Sequence, residues 1–339
     1  VAGLDGIKNN ELYVNNKDNT FTEMAKEYGI DDIGNSVQAT FFDYDKDGDL
    51  DLYVANYPIT PFDAPRSYYY YKMQNTGDFE TDNLYRNDGS TFTRVTEEAG
   101  LRTYGLTLSA TVGDLNNDSY PDLYISNDFS SPDFMYMNNG DGTFSEEIKE
   151  TTNQTSFYGM GVDIADFNND LFLDYIQVDM DAKDNRRSKA NMASMNPDLF
   201  WSTVNYGFHY QYMHNTLQLN RRIQGNKPFF SNISRLSGIS STDWSWGPLL
   251  ADFDNDGWKD LFISNGIRRE INNKDYFNDI KLRPMAKDSL LYYTNQIPSE
   301  PIANFTFRNN SDLTFSDVSK DWGLDDANFS NGATYADLD

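Results

Sequence analysis

The chain has 339 residues, a formal net charge of −26 and no cysteine. That balance excludes nucleic acid and anionic membrane surfaces as partners, since both require clustered Lys and Arg. It also excludes disulfides and thiolate chemistry.

Hydrophobic residues make up 38% of the chain and aromatics 15%, too apolar a composition for disorder. The length exceeds the roughly 100 to 200 residues of one ordinary core, so several domains or one repeat-built domain is expected. No apolar run approaches the roughly 18 residues of a membrane span, and Val1 opens the sequence with neither an initiator Met nor a signal peptide.

In chain order, residues 1–36 read as a partial unit: Glu11-Leu-Tyr-Val-Asn15 and Thr20-Phe21-Thr match only the second hairpin of the later, complete units. Residues 37–105 supply a whole unit. A strand at Ala39 to Phe42 enters the loop Asp43-Tyr-Asp45-Lys-Asp47-Gly48-Asp49-Leu-Asp51, and a strand at Leu50 to Ala55 leaves it. A hairpin comes next, with arms Asn83 to Asn87 and Thr91 to Val95 turning at Asp88-Gly89.

Residues 106–156 repeat the pattern with Asp114-Leu-Asn116-Asn-Asp118-Ser-Tyr120-Pro-Asp122, Phe134 to Asn138 and Gly140 to Phe144. Residues 157–240 carry Asp166-Phe-Asn168-Asn-Asp170-Leu-Phe172-Leu-Asp174 and an insertion at 179–215; residues 241–328 carry Asp252-Phe-Asp254-Asn-Asp256-Gly257-Trp258-Lys-Asp260 and an insertion at 266–304. Asp337-Leu-Asp339 begins a fifth copy within the partial unit 329–339. Because the sequence opens inside one unit and stops inside another, the natural protein is expected to continue on both sides.

Four short strands repeated at uneven spacing around constant motifs define an all-β chain. The expected fold is a β-propeller of four-stranded antiparallel blades, in which each sheet buries its faces against its neighbours. A linear calcium-binding array or tandem EF-hands would also repeat acidic loops, but the Val-, Ile-, Tyr- and Phe-rich flanks are strands, not the helices an EF-hand needs. The extra residues, Tyr57 to Asp82, Asp179 to Asn215 and Gly266 to Asn304, all fall between the second and third strands of a unit. In an up-and-down blade those partly helical insertions decorate the face opposite the acidic loops, and elaboration of one face marks it for binding.

Oxygen-bearing side chains at positions 1, 3, 5 and 9 of a tight loop, with the backbone carbonyl at position 7, are the donor set of Ca²⁺. The candidate ligands are Asp43, Asp45, Asp47, Asp49 and Asp51; Asp114, Asn116, Asp118, Tyr120 and Asp122; Asp166, Asn168, Asp170, Phe172 and Asp174; and Asp252, Asp254, Asp256, Trp258 and Asp260. About four structural Ca²⁺ sites are expected. A turn made of self-bonded Asp side chains would leave the same trace. Position 6 favours glycine for its positive φ, supplied by Gly48 and Gly257 but not by Ser119 or Leu171, so the middle two loops are expected to bind more weakly. Weak calcium sites fill at extracellular concentrations, which favours a location outside the cytosol.

These loops, entered through Phe41-Phe42-Asp43 and left through Leu50-Asp51-Leu-Tyr-Val54, resemble the FG-GAP or VCBS repeats of integrin α-like propellers. Over nearly the whole chain, the runs Gly207 to Asn220 and Thr242 to Phe262 resemble Bacteroidota VCBS-repeat surface proteins that also carry an ASPIC/UnbV module. That resemblance implies a lipoprotein at the outer-membrane surface, often associated with SusC/SusD-type uptake of glycans or peptides.

The insertion face gathers aromatics: Tyr68, Tyr69, Tyr70 and Tyr71, then Phe200-Trp201 and Tyr206 to Tyr210, with Tyr104, Tyr158, Trp244 and Trp246 from crossover loops. Such rings suit sugar stacking or a protein interface, and they also suit packing of the insertions onto the propeller. The candidate partner face is Tyr69, Tyr70, Trp201, His209, Tyr210, Trp244, Trp246 and Arg268. His209 and His214, the only histidines, keep a polysaccharide lyase open, because some calcium-bearing propellers use a His or Tyr as base. The pairs Arg186-Arg187 and Arg268-Arg269 either clamp an acidic ligand or stand solvated. The chain shows no phosphate loop, nucleophile elbow or HExxH helix. The expected function is therefore a calcium-stabilised extracellular binding or assembly module, without enzymatic activity, for a surface protein partner or a glycan.

Overall fold

A strand covered on both faces is apolar along its middle, and the second strand of each unit is, between a buried Asp at its start and a buried Asn or Gln at its end. The computed structural model describes residues 9–336 except 62, 192–195, 225–226 and 282–289. The fifth acidic motif, Asp337 to Asp339, lies outside the described residues.

A hairpin of β1 (Tyr13–Asn15) and β2 (Phe21–Glu23) precedes the short helix α1 (Ala25–Tyr28). Four antiparallel sheets come after it. The first orders β3 (Ser36–Phe42), β4 (Asp51–Asn56), β5 (Asn83–Asn87) and β6 (Phe92–Arg94), with α2 (Arg66–Gln74) between β4 and β5. The second orders β7 (Thr107–Gly113), β8 (Asp122–Asn127), β9 (Phe134–Asn138) and β10 (Phe144–Glu146), and is followed by α3 (Ile148–Thr151) and β11 (Thr155–Ser156).

The third sheet begins with β12 (Val162–Ala165) and β13 (Asp174–Gln177). After it come β14 (Met180–Asp181), α4 (Asn185–Ala190), α5 (Pro197–Asn205) and β15 (Gln211–Tyr212), which pairs in parallel with β11. The sheet is completed by β16 (Thr216–Gln224) and β17 (Lys227–Asn232).

The fourth starts with β18 (Asp243–Ala251) and β19 (Asp260–Asn265), then passes through α6 (Lys274–Lys281), α7 (Leu290–Asn295) and β20 (Ile302–Ala303). It ends with β21 (Phe305–Asn309) and β22 (Phe315–Asp317), and β23 (Ala327–Asn328) then pairs with β20. This sheet has five strands, because β14 from the preceding insertion adds to the free edge of β18.

The innermost strands β3, β7, β12 and β18 pack in sequence around one axis. Side chains bridge between them to the next backbone: Gln38 exchanges two bonds with Ala110 (3.1 and 2.9 Å), Thr111 donates to the Val162 carbonyl, and Asp163 accepts from Leu250 N. The two-residue period of a strand sends alternate side chains to opposite neighbours. Thus Tyr53 and Ala55 pack with Leu123 and Phe134 of the next sheet, while Leu52 and Val54 pack on Ala25 and Ile30 beside the opening hairpin. The cores therefore lie between blades. This is an all-β, propeller-like fold.

Acidic loops on one face and an interlocked aromatic cap on the other

All four acidic loops join the first and second strands of their sheets and fold alike. The position-1 carboxylate accepts the N–H of position 6, as Asp43 from Gly48, Asp114 from Ser119, Asp166 from Leu171 and Asp252 from Gly257. The left-handed turn is kept whatever residue occupies it: φ is 95° at Gly48 and 90° at Gly257, but also 75° at Ser119 and 73° at Leu171. Position 4 is left-handed as well, at Lys46, Asn117, Asn169 and Asn255.

Position 9 is buried and has a backbone task. Asp51, Asp122 and Asp260 each accept one N–H from their own loop and one from the third strand, and Asp174 accepts Asn220 N. Burial, together with the other carboxylates of each loop, pushes Asp51 up to about 6, Asp122 to about 7 and Asp174 to about 8 when no cation sits among them. Carboxylate oxygens of Asp43, Asp45 and Asp51 converge within 4.8 Å of one another, as do those of Asp252, Asp254 and Asp260. In the first loop Oδ1 of Asp43, Asp45 and Asp49 is buried without a hydrogen-bond partner among the described residues. Hard oxygens left unpaired around one point fit a divalent cation. Asp47 and Asp256 stand exposed at the loop tips.

Each of the first three loops is also tied to the following sheet by an asparagine of that sheet's third strand. Asn138 Nδ2 donates to the Tyr44 carbonyl (2.8 Å), Asn220 to that of Leu115 (3.1 Å) and Asn309 to that of Phe167 (2.8 Å). Charge counting missed these residues, although an Asn at the fifth residue of every third strand is a visible repeat.

The insertions join the second and third strands and interlock. Arg66 Nε of α2 donates to Thr203 of α5 (2.9 Å), and the Tyr70 and Tyr206 rings meet at 5.6 Å. Arg187 of α4 is buried; it forks onto Asp243 (2.6 and 2.9 Å) and reaches Glu270 (2.5 Å) and Glu300 (3.0 Å). Arg187 is therefore neither a ligand clamp nor solvated, the two roles its sequence context suggests, but the joint between two insertions and the start of β18.

The candidate partner residues divide. Trp201 (57% exposed), Tyr70, Tyr210 and Arg268 face solvent, and Phe200 links Trp201, Tyr210 and Tyr212 into one ring cluster at centroid spacings of 5.2, 6.2 and 5.2 Å. Tyr69, His209 and Trp244 are buried, so they cannot form a contact surface, and Trp246 is half-buried with Nε1 bonded to the Gly266 carbonyl. His209 Nε2 lies 3.0 Å from Thr152 Oγ1, while His214 Nε2 receives the amides of Gln154 and Asn232. Burial lowers both histidines to about 4, and it removes them as bases for an external substrate.

A propeller-like stack with a repeated acidic loop in each full sheet defines the class, and residues 1–54, 68–125 and 120–176 each match the FG-GAP-like repeat family. The chain carries FG-GAP-like repeats. It is 25% identical over 201 residues to cartilage acidic protein 1 of Xenopus tropicalis, covering 51% of this chain and 31% of that protein. The Homo sapiens cartilage acidic protein 1 is 24% identical over 202 residues, covering 51% of this chain and 30% of that protein. The chain thus spans about a third of the length of the curated relatives it matches.

Among solved structures, an Agrocybe aegerita lectin described as recognising non-reducing terminal N-acetylglucosamine aligns over 93% of this chain and 77% of its own. Its 13% identity and TM-score of 0.37 are too low to carry an argument. Among the described residues no helix is long and apolar enough to cross a membrane.

Proposed function

We propose that this chain is an extracellular binding module whose four acidic loops hold structural Ca²⁺ and whose insertion cap receives the partner, at the surface of an outer-membrane assembly of the SusC/SusD type. The observation that carries this reading is the division of the molecule. One face repeats a single acidic-loop geometry, with carboxylates converging in the first and fourth loops, while the other exposes a contiguous ring cluster, Trp201, Tyr210 and Tyr212, on an interlocked and therefore preorganised support. Exposed aromatic patches on rigid elements mark interaction sites for proteins or sugars. A lyase on this scaffold finds no support in the two buried histidines.

The test compares the chain with a Trp201→Ser/Tyr210→Ser variant on a glycan array and against solubilised outer-membrane proteins. Saturable binding to one of these classes, lost in the variant at unchanged Tm, is expected. Equal binding by the variant, or none by either, overturns the assignment of the face.

A further inference from the structure

Where three of the inner strands start, on the insertion side, a cavity of about 460 Å³ opens. Its wall is aromatic: Tyr57, Phe129, Tyr158, Trp244 and Trp246 line it, with Phe129 and Tyr158 edge to face at 5.6 Å. Leu108, Met160, Met180, Ile271 and Asn272 complete the lining together with one carboxylate, Asp128, which is only 7% exposed. Asp128 accepts Phe129 N (2.7 Å) and Tyr57 OH (3.1 Å), and no Lys or Arg among the described residues pairs with it. Burial, and secondarily the charge of Asp179, pushes its carboxyl up to about 7. A buried carboxylate under aromatic faces, with no cation of its own, is an incomplete arrangement.

We infer that this cavity binds a small methylated ammonium compound of the choline class. The methylated nitrogen needs aromatic faces and one counter-charge, which these rings and Asp128 supply. A primary ammonium brings three N–H donors and would leave most of them unpaired here. A metal ion needs several oxygens, and the wall offers one carboxylate. The volume lies within the range of small-molecule sites. None of the exposed rings of α5 takes part, so this inference goes beyond the partner-face reading and stands or falls separately from it.

The test is calorimetric titration of the intact chain with choline chloride, in parallel with 3,3-dimethylbutan-1-ol, the uncharged carbon isostere. One saturable site for choline is expected, with the isostere at least about tenfold weaker. Asp128→Asn should weaken choline at least about tenfold. No saturable signal up to about 10 mM choline, equal binding of the isostere, or an Asp128→Asn variant of unchanged Tm and unchanged affinity each overturn the inference. The choline and isostere comparison uses the unaltered chain, so it decides the question even if a variant fails to fold.

Discussion

The two faces of this molecule are built on opposite principles. On the acidic face one nine-residue geometry recurs in four sheets, and it tolerates Ser119 and Leu171 at a left-handed position because the surrounding N–H to carboxylate bonds over-determine the turn. On the insertion face no two connections are alike, and order comes from non-repeating contacts such as Arg187 with Asp243 and Glu270. Repetition serves closure of the blades, while variety serves individual surface. Each face should therefore fail in its own way.

Calcium removal should have the largest effect and act on the acidic face alone. A loop held at about a hundred times its dissociation constant contributes ~2.7 kcal/mol, and several such loops add to a large drop in Tm with EDTA. A Tm indifferent to EDTA would erase the contrast between the faces.

Next is Arg187→Met, which strands Asp243 and Glu270 as buried charges. A loss of about 3–5 kcal/mol in urea unfolding is expected, the same with and without calcium. A loss that appears only without calcium would mean that the two faces are coupled more tightly than their contacts imply.

The smallest effect has the opposite sign. Leu171 is 82% exposed at φ 73°, so Leu171→Gly relieves left-handed strain at little packing cost and should stabilise the chain by about 1 kcal/mol. Destabilisation would show that the Leu171 side chain matters in a way its exposure conceals.

What could be read from the sequence was local or periodic. Carboxylate spacing identified the loops, and the position of the extra residues between second and third strands placed the insertions on one face, because a strand order fixed by short hairpins comes from chain connectivity alone. The role of Arg187 was illegible, since its partner Asp243 lies 56 residues away and the burial of both depends on how two insertions meet. The same holds for Tyr69, His209 and Trp244, whose residue types suit a contact surface as well as a core. The left-handed position 4 escaped notice because Lys46 stands there in the first loop, where the other three have Asn.

The asparagine bridges give the array a direction. Asn138, Asn220 and Asn309 each reach back to the second residue of the preceding acidic loop, never forward. A loop held in place thereby fixes the acceptor on which the next sheet docks, so the order of each of these loops and the seating of the sheet after it are one structural event.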